Sequence, residues 1–188
     1  GRPSEPFHLR LGELGALTIG HGTIMNGYYN VVTTDNFGWG MHGNFNSVYG
    51  GVELMLDNFA SPEVLGGRVY TRPWGFIDPG SYWHRLAVGF SALMDINAPL
   101  ELERDSAGNI VVDAAVSPEV ADDQFTSILG LDVELSVVDE PWMHLMPYMD
   151  FNIHTGEGVG FHLGTMMSTW PTQTLGFNAR AEFRWLSN

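Results

Sequence analysis

The sequence predicts an all-β protein, an antiparallel up-and-down β-barrel of about eight to ten strands, on three observations. Four consecutive segments between Phe125 and Leu186 alternate apolar and polar residues with period two. A strand sends every second side chain to one face, whereas a helix would scatter these residues around its axis. The segments are joined by short turn-rich stretches, Asp139-Glu140-Pro141, Thr155-Gly156-Glu157-Gly158 and Trp170-Pro171-Thr172. Finally, 188 residues with 44% apolar content can cover one face of a large sheet, and no linker divides them. Residues 1–188 therefore read as a single domain.

Taken in order, the chain opens at Gly1-Arg2-Pro3-Ser4 with neither an initiator methionine nor a signal sequence, as expected of a processed protein or a fragment. Phe7, Leu9, Leu11, Leu17 and Ile19 alternate with polar neighbours and predict a first strand over 7–20, with Glu13 and Leu14 out of phase. The glycine-punctuated run from Gly20 to Tyr28 reads as a bulged second strand or as a loop folded over the sheet. Trp39, Met41, Gly43 and Phe45 predict a strand ending near Asn46, with Val52, Leu54 and Leu56 in its hairpin partner. Val64 to Arg72 is a further strand, which stops at Pro73 because proline cannot donate to a ladder. Leu86 to Ile96 alternates strongly. Asn97 to Gln124 is acidic and mixed, and is expected to be the one long, mobile loop, with a small hairpin around Asp105-Ser106-Ala107-Gly108-Asn109. In the last four segments the apolar face carries Leu129 to Val137, Met143 to Phe151, Val159 to Leu163 and Leu175 to Trp185, and Pro147 interrupts the second of them.

A closed sheet with one apolar and one polar face has two solutions. A soluble barrel turns the apolar face inward around a core or ligand, and a membrane barrel turns it to lipid and lines its lumen with the polar face. Three features favour the membrane. Tyr82, Trp83, Trp142, Trp170, Phe183 and Trp185 fall at strand ends, where an interfacial girdle sits. Arginines stand among carboxylates on a glycine-rich polar face. Lysine, which solubilises soluble sheets and protects their edges, is absent, all eight basic residues being arginine. The residues expected to line the lumen are Arg68, Arg72, Asp132, Glu134, Asp150, His162, Arg180, Glu182 and Arg184. The soluble alternative is a carrier holding an apolar ligand against Phe90, Leu131, Phe161 and Phe177.

Charge excludes other classes. With 22 carboxylates and a formal charge of −14, the chain lacks the cations that release counterions from nucleic acid. No cysteine means no disulfide framework and no thiolate metal site. No apolar run approaches the roughly 20 residues of a spanning helix, so a membrane would be crossed by strands. The charges of the two signs on the polar face nearly balance. Much of the excess acid therefore falls between Glu101 and Asp123, and a barrel that conducts would prefer cations weakly through that rim.

The closing pattern from Leu175 to Leu186 resembles the last strands of bacterial outer-membrane β-barrels, and Leu9-Arg10-Leu11-Gly12-Glu13-Leu14 with Gly20-His21-Gly22-Thr23 resembles early strands of porin-like proteins. Gly130 to Leu135, Pro147 to Asp150 and Gly156 to Thr165 are similar to uncharacterised barrel proteins of Gram-negative bacteria. The resemblance covers most of the chain through strand patterns rather than chemical signatures. It departs from the family at Pro147 and at Leu186-Ser187-Asn188, which follow the final aromatic. It implies a porin-like protein of the bacterial outer membrane, or a fragment of a larger barrel, in contact with outer-membrane lipid. Other barrel or envelope proteins are the partners it allows, and its role is structural or that of a passive pore.

Chemistry-bearing residues are sparse. His21, His42, His144, His154 and His162 offer imidazole, but none has a second ligand at recognised zinc spacing. Met143, Met149 and Met167 fall with the apolar face, where thioethers fill space. A hydrolase would need a hydroxyl beside a histidine; His154-Thr155 and His162 with Ser168 are the nearest material, and no G-x-S-x-G turn occurs. The carboxylate pairs Asp122-Asp123 and Asp139-Glu140 read as solvated turns. No catalytic residue, metal or cofactor is assigned.

Overall fold

The computed structural model describes residues 6–33, 36–112, 119–171 and 175–187. Its strands are β1 (Phe7–Gly12), β2 (Leu17–Ile19), β3 (Met25–Tyr28), β4 (Val31–Thr33), β5 (Asn36–Phe37), β6 (Gly40–Ser47), β7 (Gly50–Leu56) and β8 (Val64–Thr71). There follow β9 (Leu86–Leu102), β10 (Val120–Leu135), β11 (Val138–Glu140), β12 (Met143–His154), β13 (Gly158–Thr169) and β14 (Phe177–Ser187). One antiparallel sheet takes the order β1-β6-β7-β8-β9-β10-β12-β13-β14, with β11 pairing β12 alongside. This is the up-and-down order that the alternation predicts. Because the path holds nine strands, β1 and β14 run in the same direction, and among the described residues no pairing joins them.

Two adjacent rows across the sheet explain its architecture. One runs Phe7, Phe45, Val52, Val69, Phe90, Leu131, Phe151, Phe161, Trp185, each opposite the next. One residue along, the row is Asn46, Gly51, Tyr70, Gly89, Asp132, Asp150, His162, Arg184. Since neighbouring residues of a strand point to opposite faces, each of the eight strands of the path from β6 to β14 contributes to both rows without a slip in register between them. Leu131 is 58% exposed and Asp132 only 6%. The apolar face is therefore the outer one and the polar face the covered one. Phe90, Leu131 and Phe177 are exposed and Phe161 is half-buried, so the interior that a carrier of apolar ligands requires is not built from these residues.

What covers the polar face is the connection between β1 and β6. The alternation predicts one strand from 7 to 20, but β1 ends at Gly12, whose φ of +107° suits glycine and turns the chain off the ladder. The insert that follows folds back over the sheet between residues 13 and 30 and forms the β2–β3 hairpin there, as the loop reading of Gly20 to Tyr28 allowed. Leu14, Leu17, Ile19 and Met25 bury against Met55 of β7, with Val64 and Leu93 packed beside them. Leu14 and Ile19 are fully buried, each contributing about 1.5–3 kcal/mol. Asn30 fixes the base of the insert, donating to the carbonyls of Gly12, Gly38 and Asp57 and accepting from Leu14 N.

Two further expectations change. Strands β9 and β10 pair as far as Leu102 and Val120, taking up much of the stretch read as a loop over 97–124; the bridge between Arg104 and Ile110 forms the expected small hairpin. Strand β12 runs straight through Pro147. There the ladder to β10 ends at Tyr148 and that to β11 begins at Leu145, which places the proline at a break in the pairing.

Candidate functional site

The sheet register places Asp132 directly opposite Asp150, an arrangement that repels unless cations intervene. Two do so. Arg68 reaches across β9 to Asp132, with Nε donating to Oδ2 at 3.0 Å and Nη2 to Oδ1 at 2.5 Å, and Nη2 also donates to Glu134 Oε2 at 2.9 Å. The path is open because β9 has glycine there: a Cβ on Gly89 would collide with the carboxylate of Asp132. The second cation comes from the insert. His21 Nδ1 lies 2.8 Å from Asp150 Oδ1 and Nε2 lies 2.7 Å from Glu134 Oε2. Carboxylates only accept, so both ring nitrogens donate and the imidazole is an imidazolium. Burial alone would lower the pKa of His21, but hydrogen bonds to Asp150 and Glu134 and their charges outweigh it and raise the value to about 9.

The insert is held at further points. Thr23 Oγ1 donates to Asp150 Oδ2 at 2.6 Å, Gly20 N donates to Glu53 Oε2 at 3.0 Å, and the His21 ring stacks on Tyr148 at 4.4 Å between centroids. A Cβ at Gly22 would meet Arg180 Nη1 at 3.0 Å. The insert therefore touches β7, β10, β12 and β14, and the sheet curls around it. Beyond Tyr148, Glu182 gathers the Tyr148 hydroxyl, Arg180, Arg184 and His162, the last at 3.1 Å. Tyr148 has room to lie flat because its partner across the ladder is Gly164, where a Cβ would come within 2.5 Å of the ring.

Of the nine predicted polar-face residues, Arg68, Asp132, Glu134 and Asp150 are buried beneath the insert, His162 is buried against Glu182, and Arg180 and Glu182 are half-buried. Arg184 reaches Glu182 from an exposed position on the edge strand. Arg72 stands apart at the end of β8, where it donates to Asn46 Oδ1 at 2.8 Å and to the Ser47 carbonyl. The sequence reading missed the part played by His21, Thr23 and Tyr148. The only local signal was His21 between two glycines, Gly20-His21-Gly22.

The hydrolase candidates separate. His162 pairs with Glu182, and Ser168 lies across the ladder from His144 instead. His154 Nε2 lies 3.1 Å from Thr126 Oγ1 and Nδ1 2.8 Å from Glu157, a hydroxyl–imidazole–carboxylate array. Glu157 is largely solvent-exposed, which weakens its hold on the imidazole, and the array ties the β12–β13 turn to β10. Ligand atoms of His21, Asp132 and Asp150 lie within 4.8 Å of one another, close enough for a metal, but His21 has both nitrogens engaged as donors. Comparison with protein-family models, curated proteins and solved structures finds no match to this chain.

Proposed function

We propose that the sheet is the wall of a bacterial outer-membrane β-barrel, or a segment of one, with a structural or passive-pore role and no catalytic one. One observation carries this reading: the apolar row from Phe7 to Trp185 faces outward across all nine strands while the adjacent polar row is covered from Asn46 to His162. In water such a face would be an exposed apolar patch far larger than monomers tolerate, and in a bilayer it meets acyl chains. Exposed aromatics beyond the strands, Trp74 and Trp83 in two short helical turns between β8 and β9 and Trp142 and Trp170 flanking β12 and β13, suit the headgroup layers.

On this reading the insert is a plug and passive conductance is small. Any current prefers cations weakly, because Glu101, Glu103, Asp105, Glu119, Asp122 and Asp123 gather at the end from which the insert enters. Antiparallel bacterial barrels have even strand numbers. Nine strands with parallel edges therefore close by one further strand, and assembly with another envelope β-strand is the partnership that suits β1 and β14. The test is extraction and reconstitution. The protein is expected to need detergent, to stay β-rich in micelles and to insert into liposomes; a monodisperse, detergent-free solution of the folded chain would refute the proposal.

A further inference from the structure

The end of the sheet away from the insert's entry holds an open cavity of about 520 Å³, the size of a small-molecule site. It is bounded by Pro6 and the β6–β7 turn on one side and by the start of β12 on the other, with the approach to β9 and the end of β10 between them. Its basic and hydroxyl lining is Arg72, His84, Arg85, Ser136 and His144. The two arginines differ from those deeper in the sheet. Arg68, Arg180 and Arg184 are ion-paired, whereas among the described residues Arg72 and Arg85 pair with no carboxylate. Neutral groups hold them instead. Arg72 donates through Nη1 to Asn46 Oδ1 and to the Ser47 carbonyl, and its guanidinium lies 5.1 Å from the ring centroid of Tyr70. The guanidinium of Arg85 lies 5.6 Å from the ring centroid of Tyr82. Such contacts orient a guanidinium without cancelling its charge. Both arginines are half-buried. Two carboxylates also border the cavity, but Glu134 is already bonded to Arg68 and His21, and Asp139 is exposed to water.

We propose that this cavity binds a small solute through a phosphate group, with Arg72 and Arg85 as its anchors. Ser136 Oγ and His144 Nε2, 3.3 Å apart on the facing wall, are its further hydrogen-bond partners. Guanidinium forks match the oxygens of phosphate and carboxylate alike. A phosphate group presents three oxygens to groups that arrive from separate strands, and a carboxylate presents only two. The lining belongs to the polar face, away from the outer apolar one, so the phosphate is that of a water-soluble molecule and not of a lipid headgroup. The site does not depend on what the outer face touches, and it stands or falls separately from the membrane proposal. With the anion seated, the two guanidinium charges are matched, and the acidic rim at the other end still sets the sign of any current.

The experiment titrates the full chain, in a non-ionic detergent at constant ionic strength, with glycerol phosphate. Binding is followed by calorimetry and by tryptophan fluorescence, Trp83 standing close to Arg85 in the chain. Saturable binding is expected, weakened about 10- to 100-fold in Arg72→Gln and in Arg85→Gln. It should be unchanged in Arg104→Gln, which lies in the exposed hairpin at the other end. Arg85→Gln removes no hydrogen bond of the guanidinium to a described residue, so it keeps the test decisive if Arg72→Gln fails to fold. Absence of saturable binding, or binding that Arg72→Gln and Arg85→Gln both retain in full, would overturn the proposal. So would tighter binding of succinate, which makes the site one for carboxylates. A response confined to phosphatidic acid added to the micelles would overturn it as well, because the phosphate is then that of a lipid.

Discussion

Replacing His21 by glutamine keeps a polar side chain of similar size but removes the positive charge between Glu134 and Asp150. Breaking a buried ion pair by deleting one partner costs about 3–5 kcal/mol. Linkage gives a similar figure: a pKa raised from 6.5 to about 9 corresponds to about 3 kcal/mol. Because the folded value is the higher one, this contribution is complete below pH 6.5 and is lost as pH rises through about 9. Wild-type protein should therefore lose about 3 kcal/mol across that window, while His21→Gln should start lower and vary little in it. Denaturant unfolding in detergent at fixed ionic strength, followed by tryptophan fluorescence, measures both. Parallel pH profiles for the two proteins, or a wild type that gains stability between those limits, would refute the assignment of His21 as a buried imidazolium.

Leu131→Arg should cost about 2–4 kcal/mol of folding stability in a bilayer if Leu131 faces lipid near the midplane, against roughly half a kcal/mol if it faces water; unfolding from liposomes discriminates. Gly164→Ala pushes a methyl group into the Tyr148 ring and should cost about 1–3 kcal/mol, read as a lower unfolding midpoint with unchanged slope. Gly12 and Gly40 face each other across the β1–β6 ladder, so the insert between them can be replaced by a two-residue turn. That deletion should raise single-channel conductance in planar bilayers and give a reversal potential of weakly cation-selective sign. Unchanged conductance would count against the plug, and anion selectivity against the acidic rim.

The strands were legible because period-two alternation is a local property: β6 to β8 and β12 to β14 fall where it places them, whereas β9 and β10 extend into the stretch read as a loop and β11 forms on Asp139-Glu140, read as a turn. The composition of the polar face was legible too, since Asp132, Glu134, Asp150 and His162 follow from parity along their own strands. What could not be read is what that face binds. Leu17 and Ile19 keep the phase of β1, so alternation alone extends the strand, and only the turn at Gly12 together with the buried space beneath the insert shows the break. Likewise, His21 carries no local mark of being an imidazolium, because its partners lie on strands that the sequence does not bring near it. Pro147 misled for a related reason: its missing N–H matters only where a ladder needs it, and the ladder is interrupted there.

The anchors of the insert also order events in time. His21 bonds Glu134 and Asp150 at sequence separations of 113 and 129 residues, and Arg68 meets Asp132 at 64. Contacts of such span are late ones, because the intervening chain must be organised before they repay its closure. The hairpin of β2 and β3 can form early on its own, but it has nowhere to dock until β12 is in place. Docking of His21 thus reports that the sheet behind it is complete as far as Asp150. Stacking of its ring on Tyr148 links that event to the Glu182 cluster on the last strand, and a chain stalled before β12 would be left with its N-terminal hairpin loose.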